Sequence, residues 1–238
     1  MLKSSNPALT NRAFKHLPHT ATRAMTLPGT VQKTGILLLL LIVSGYWSWG
    51  NPAVGALAGF GAIGGVILAL ITIFKKHWAP ITAPLYAVFQ GLFLGATSAL
   101  FEANYPGIVI QAVALTAGTL FALLGAYQSG LIRATENFKL GIVAATGGVC
   151  IVYLLQFMLG FFGVSFLSTS GPFSIVFSLV VVSIAALNLV MDFDFIEQGV
   201  AHGAPDYMEW FGAFGLMVTL IWLYIEILRL LAKLRSQD

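Results

Sequence analysis

The chain reads as an all-α membrane protein, a bundle of seven transmembrane helices, and three observations predict it. Of its 238 residues 58% are apolar and 9% charged, with a mean hydropathy of +0.89, whereas a soluble domain carries about 25% charged residues. The apolar residues fall into runs long enough to cross a ~30 Å hydrocarbon layer as helices, roughly 20 residues each. Short turns marked by Pro separate the runs, so consecutive helices run antiparallel. A soluble globule is excluded.

Residues 1–29 form a basic tail with Lys3, Arg12, Lys15 and Arg23, interrupted by Pro7, Pro18 and Pro28. A cleaved signal peptide is the rival reading, but the apolar run from Gly35 ends in SGYWSWGNP, which has no A-x-A-like site. The tail is therefore expected on the cytosolic side, and residues 30–238 form the membrane domain. Its spans are predicted near 31–49, 52–74, 80–101, 107–128, 138–163, 172–193 and 206–232. Pro52, Pro80, Pro106, Pro172 and Pro205 stand at or just before the first turn of a span, where a missing N–H costs little. The fifth span has Asn137 as its expected N-cap.

Orientation follows from Lys and Arg placement. With the tail inside, the inner segments hold Lys3, Arg12, Lys15, Arg23, Lys33, Lys75, Lys76, Arg133 and Lys139. The outer turns WSWGNP, FEANYP and SFLSTSGP hold no base, and Arg229, Lys233 and Arg235 stand at the far end. A six-span layout, with the last apolar pair as a re-entrant hairpin, is the alternative. Gly55-x-x-x-Gly59, Gly61-x-x-x-Gly65 and Gly91-x-x-x-Gly95 read as packing glycines that let backbones approach in lipid. Trp47, Trp49, Trp78, Tyr105 and Trp210 lie near span ends as an aromatic belt. The single cysteine, Cys150, excludes an intrachain disulfide.

Candidate chemistry concentrates late in the chain. Of nine acidic residues, Asp192, Asp194, Glu197, Asp206 and Glu209 fall within 18 positions without an intervening Lys or Arg. Asn188 and Asp192 share a helical face at i, i+4, whereas Asp194 points away unless the helix breaks. A solvated cytosolic loop over 192–209 is the bland alternative. Glu226 lies deep in the last span, where an ionisable group is costly and marks a functional candidate. Arg229, one turn on, is in reach as an ion-pair partner. Of the amides in the spans, Gln90, followed by Gly91, is the candidate to face a pore.

Other classes lack their signatures. There is no G-x-S-x-G, H-E-x-x-H or P-loop motif, so an enzyme is not expected. His16, His19, His77 and His202 lie in the tail or loops, unsuited to an intramembrane metal site. The net charge of +3 is split among short segments, so no nucleic-acid surface is expected. No cofactor is called for, and the bilayer is the expected partner.

Asp192–Ile196 in the pattern D-x-x-x-I, PLYAVFQGLFLGATS at 84–98, DFDFIEQG and the closing WLYIEILRLL together resemble the Bax inhibitor-1/YccA family, in its bacterial Bax inhibitor 1-like branch. The resemblance covers nearly the whole chain and implies seven helices with the last one central. It also implies a bacterial inner membrane, a pH-sensitive Ca²⁺ leak sensed by an aspartate pair, or a link to cell-death suppression or a membrane protease. Asp192 matches the sixth-helix aspartate, but its seventh-helix partner falls at or near Thr219, and Gln90 stands where relatives carry Glu. The expectation is a passive cation leak with Asp192 and Asp194 holding Ca²⁺ transiently, Glu226 further along, and Asn188, Arg229 and Gln90 beside the path. The rival is a non-conducting protein that binds a membrane protease or another membrane partner through its tail and loops.

Overall fold

The computed structural model describes residues 23–50, 55–163 and 171–236, the side chains of 55–57 excepted. Most of the basic tail, the turn at Pro52, the surroundings of Gly55 and much of the SFLSTSGP turn lie outside the described residues. Among the described residues seven α-helices follow in order: α1 (Leu27–Trp49), α2 (Gly55–Phe74), α3 (Ala79–Asn104), α4 (Ile108–Gln128), α5 (Glu136–Gly160), α6 (Pro172–Ala201) and α7 (Tyr207–Arg235). A single 3₁₀ turn, Lys76–Trp78, joins α2 to α3.

Six of these helices are long and apolar enough to cross a membrane, and α2 adds an apolar stretch at Ala58–Phe74. The two longest are α6, with 30 residues, and α7, with 29, about 45 Å each on a ~1.5 Å rise. Each is long enough to cross a ~30 Å hydrocarbon layer by itself. The last helix is also the most buried: 78% of its most apolar stretch is covered, against 11–33% in the other five.

Helix ends follow local chemistry. Thr26 caps α1, its Oγ1 accepting from Gly29 N at 3.1 Å, and Pro28 sits in the first turn. Thr135, not Asn137, caps α5, accepting from Phe138 N at 3.3 Å; Asn137 is already inside the helix, two residues late for the role. The sixth span was expected to stop at 193, yet α6 runs on to Ala201. Phe193, Phe195 and Ile196 are buried and give this extension a face to pack. It ends at Gly203, whose φ of 62° turns the chain into the left-handed region that glycine tolerates. Asp192, Asp194 and Glu197 are thus helical rather than in a loop.

The chain packs as two compact units, and α6 and α7 contribute to both. One unit holds the described residues of Ala8–Pro106 with Asp192–Val218, which is α1 to α3, the end of α6 and the first part of α7. Here glycines set the spacing. A Cβ at Gly95 would collide with the Gly45 backbone, and one at Gly91 with Ser44 and the Leu41 carbonyl, so α1 and α3 meet backbone to backbone. Gly61 and Gly65 likewise admit Phe89, Phe93 and Gln90 of α3 against α2, whereas Gly59 faces open space. Ser48 Oγ donates to Leu92 O at 2.7 Å, and Thr72 Oγ1 to Thr82 Oγ1 at 2.7 Å, adding interhelical bonds that lipid cannot replace. Tyr86 meets Phe214 edge to face at 5.0 Å.

The other unit holds the described residues of Gly107–Met191 with Thr219–Asp238. Asn188 Nδ2 donates to Thr146 Oγ1 at 2.9 Å, tying α6 to α5. Lys233 Nζ donates to Ser178 Oγ at 2.7 Å on α6, and Arg235 Nη2 to Gln111 Oε1 at 3.1 Å on α4. The bases at the end of α7 therefore hold neighbouring helices.

Candidate functional site

In the first unit the acidic locus is organised by the α6–α7 hairpin. Asp192 is 8% exposed, although it is a carboxylate in a helix that reads as membrane-spanning. Its Oδ1 lies against α7 at Gly215, where an added Cβ would stand 3.9 Å away. One turn on along the same face, Ile196 meets Gly212, where a Cβ would stand 3.1 Å from Ile196 Cγ1. Gly212 and Gly215 thus line a seam that brings α6 close to the last helix, with Asp192 in it.

Asp194 is not part of that seam. The helix is unbroken through both residues, so positions two apart project to nearly opposite sides. Asp194 Oδ2 instead accepts from Gln198 Nε2 at 2.5 Å, one turn along the same helix. Asp192 and Asp194 are not brought to one point. Among the described residues no three His, Cys, Asp or Glu side chains gather as a closed metal site requires. Gln90 packs at the α2–α3 contact, its amide against Gly65.

Glu209, read from sequence as one acid among several, is held by several partners at once. It is buried in the first turn of α7, where a negative charge meets the positive end of the helix dipole. Its Oε1 accepts from Thr26 N at 2.7 Å and from Thr26 Oγ1 at 2.8 Å, and its Oε2 pairs with Lys33 Nζ. The Lys33 ammonium also lies 5.5 Å from the Trp210 ring centroid. Sequence held a signal for this pair: Lys33 and Glu209 each lie just inside a predicted span, where an isolated charge demands a partner. Their separation of 176 positions hid which partner it was.

In the second unit Glu226 is fully buried. Tyr153 Oη stands 3.0 Å from both of its carboxylate oxygens, and Arg229 Nη1 donates to Oε1 at 3.1 Å. The guanidinium sits 5.8 Å from the Tyr153 ring centroid. Arg229 was predicted as the partner on helical spacing; Tyr153, from α5, was not, because only packing brings it there. This carboxylate faces neither lipid nor open water; it is clamped. Asn188, expected beside Asp192, gives its amide to Thr146 and to Ile184 O at 2.8 Å.

No curated protein and no solved structure matches the chain. The family model described as Bax inhibitor 1 like matches residues 6–236, nearly the full length. With its apolar helices, its buried last helix and the aspartate in D-x-x-x-I on α6, this integral membrane protein belongs to the Bax inhibitor 1 like family.

Proposed function

We propose that the protein is a passive cation leak pathway, with Ca²⁺ as the favoured ion and Asp192 as the acid that the ion or a proton engages. The observation that supports it is Asp192 itself, a carboxylate kept from bulk solvent in the α6–α7 seam against Gly215. Keeping an ionisable side chain from water is costly, and hard cations take oxygen ligands. Protonating Asp192 would remove its attraction for a cation, which gives the pathway a pH response. Glu226 takes a different role: held by Tyr153 and Arg229, it anchors α7 to α5 and is not an ion ligand in this reading. The expected setting is the bacterial inner membrane with the N-terminus in the cytoplasm, a reading that rests on Lys75–Lys76, Arg133 and Lys139 falling in the segments that the sequence assigns to the inner side.

The test is Ca²⁺ flux into proteoliposomes at neutral and acidic pH. Wild type is expected to conduct and to change with pH, and Asp192→Asn to conduct without that change. Equal flux and equal pH response in the two proteins would defeat the assignment.

A further inference from the structure

Resting on the permeation reading, the geometry points to a built-in stopper: residues 23–26 close the water-side end of the seam that holds Asp192, and Glu209 with Lys33 is the catch that keeps them there. The segment does not merely precede α1. Met25 N donates to Ala204 O at 2.6 Å and Asp206 N to Arg23 O at 3.1 Å, so Ala24 and Pro205 pair as a short antiparallel bridge. This fixes the strap to the loop between α6 and α7. Met25 is 2% exposed and enters a cluster with Ala79, Phe195, Ile196, Met208 and Phe211.

Where Met25 enters is what gives the strap a task. A Cβ at Gly212 would stand 3.5 Å from Met25 Cε and 3.1 Å from Ile196 Cγ1. Gly212 lies one turn before Gly215 on α7, and Ile196 one turn after Asp192 on α6. The methionine therefore fills the seam one helical turn beyond the aspartate, on the loop side. A flexible thioether suits an irregular gap of this kind. The catch is equally specific. Glu209 takes the Thr26 N–H, the Thr26 hydroxyl and the Lys33 ammonium together. Gly29 is needed for that approach, since any Cβ there would fall on the Glu209 carboxylate.

Two measurements test this, both with Cys150→Ser so that no native thiol interferes. The first reads strap release without reference to conduction. Met25→Cys is expected to resist a water-soluble maleimide, and adding Glu209→Gln is expected to speed its labelling about tenfold or more, because a buried charge-assisted bond is lost. The second reads flux. In that background, Glu209→Gln with Met25 kept, and deletion of residues 1–28, are both expected to raise Ca²⁺ flux into proteoliposomes. A disulfide between Ala24→Cys and Pro205→Cys is expected to lower it until reduced. The bridge hydrogen bonds flank this pair, so its Cα atoms stand ~4.5 Å apart, within disulfide range. The cross-link keeps the test decisive should Glu209→Gln fail to fold.

Unchanged labelling on Glu209→Gln overturns the catch. Faster labelling with flux unchanged, or oxidation that leaves flux unchanged, in a protein whose Asp192→Asn variant has lost its pH response, overturns the stopper alone. No flux in any variant overturns the permeation reading and the stopper with it.

Discussion

The Glu226–Arg229 pair makes a quantitative prediction because its two members are so unequally placed. The Glu226 side chain is 2% exposed and that of Arg229 48%. Replacing Arg229 by Met leaves a buried carboxylate with the Tyr153 hydroxyl as its hydrogen-bond partner and the Lys233 ammonium as its nearby charge, and breaking a buried pair in this way costs about 3–5 kcal/mol. Replacing Glu226 by Leu leaves a half-exposed guanidinium, which extends its stem to the interface and recovers hydration. That loss is limited to the hydrogen bonds given up, about 1–2 kcal/mol. Exchanging both for apolar residues removes the stranded charge, so the double variant is expected to be more stable than Arg229→Met alone. Unfolding equilibria in bicelles, read as a double-mutant cycle, measure all three. Equal losses for the two single variants, or a double variant worse than both, would refute the idea that Glu226 is a clamped anchor.

Two further expectations concern packing and topology. Gly95→Ala should destabilise by about 1–3 kcal/mol or more, since the new methyl meets the Gly45 backbone, which cannot give way. Gly59→Ala, facing open space, should be neutral or gain up to ~1 kcal/mol in helix propensity, and thermal unfolding of the two variants separates them. With Cys150→Ser, thiols at His77→Cys and Tyr105→Cys should label from opposite faces of the membrane, the first from the cytosolic side. Labelling from the same face would contradict a membrane-crossing α3.

What was legible in the sequence was whatever depends on hydropathy or on neighbours within one turn. Spans were visible because a run of apolar residues has no other stable setting, and Glu226–Arg229 because three positions make one turn of helix. The contacts of Gly91 and Gly95 with Ser44 and Gly45, by contrast, join helices whose pairing the spacing alone did not specify. Glu209 was misjudged for the same reason: its partners, Thr26 and Lys33, stand at the other end of the chain. The end of α6 was missed because two aspartates look like a boundary. Phe193, Phe195 and Ile196 instead have a buried surface to meet, and tertiary packing outweighed local polarity.

The length of the final helix pair has a consequence for how the protein meets membranes of different thickness. A rod of about 45 Å tilted by 40°, the upper end of what is commonly seen, still spans ~34 Å along the bilayer normal. Bilayers of ~27 to ~33 Å are therefore all thinner than α6 and α7 are tall. Swelling or thinning of the lipid is met by sliding along two overlong rods. Asp192, some 30 Å along α6 from Pro172, is covered by the protein's own packing, the α7 flank at Gly215 included, and not by acyl chains. Its surroundings should accordingly be the same in short-chain and long-chain lipid.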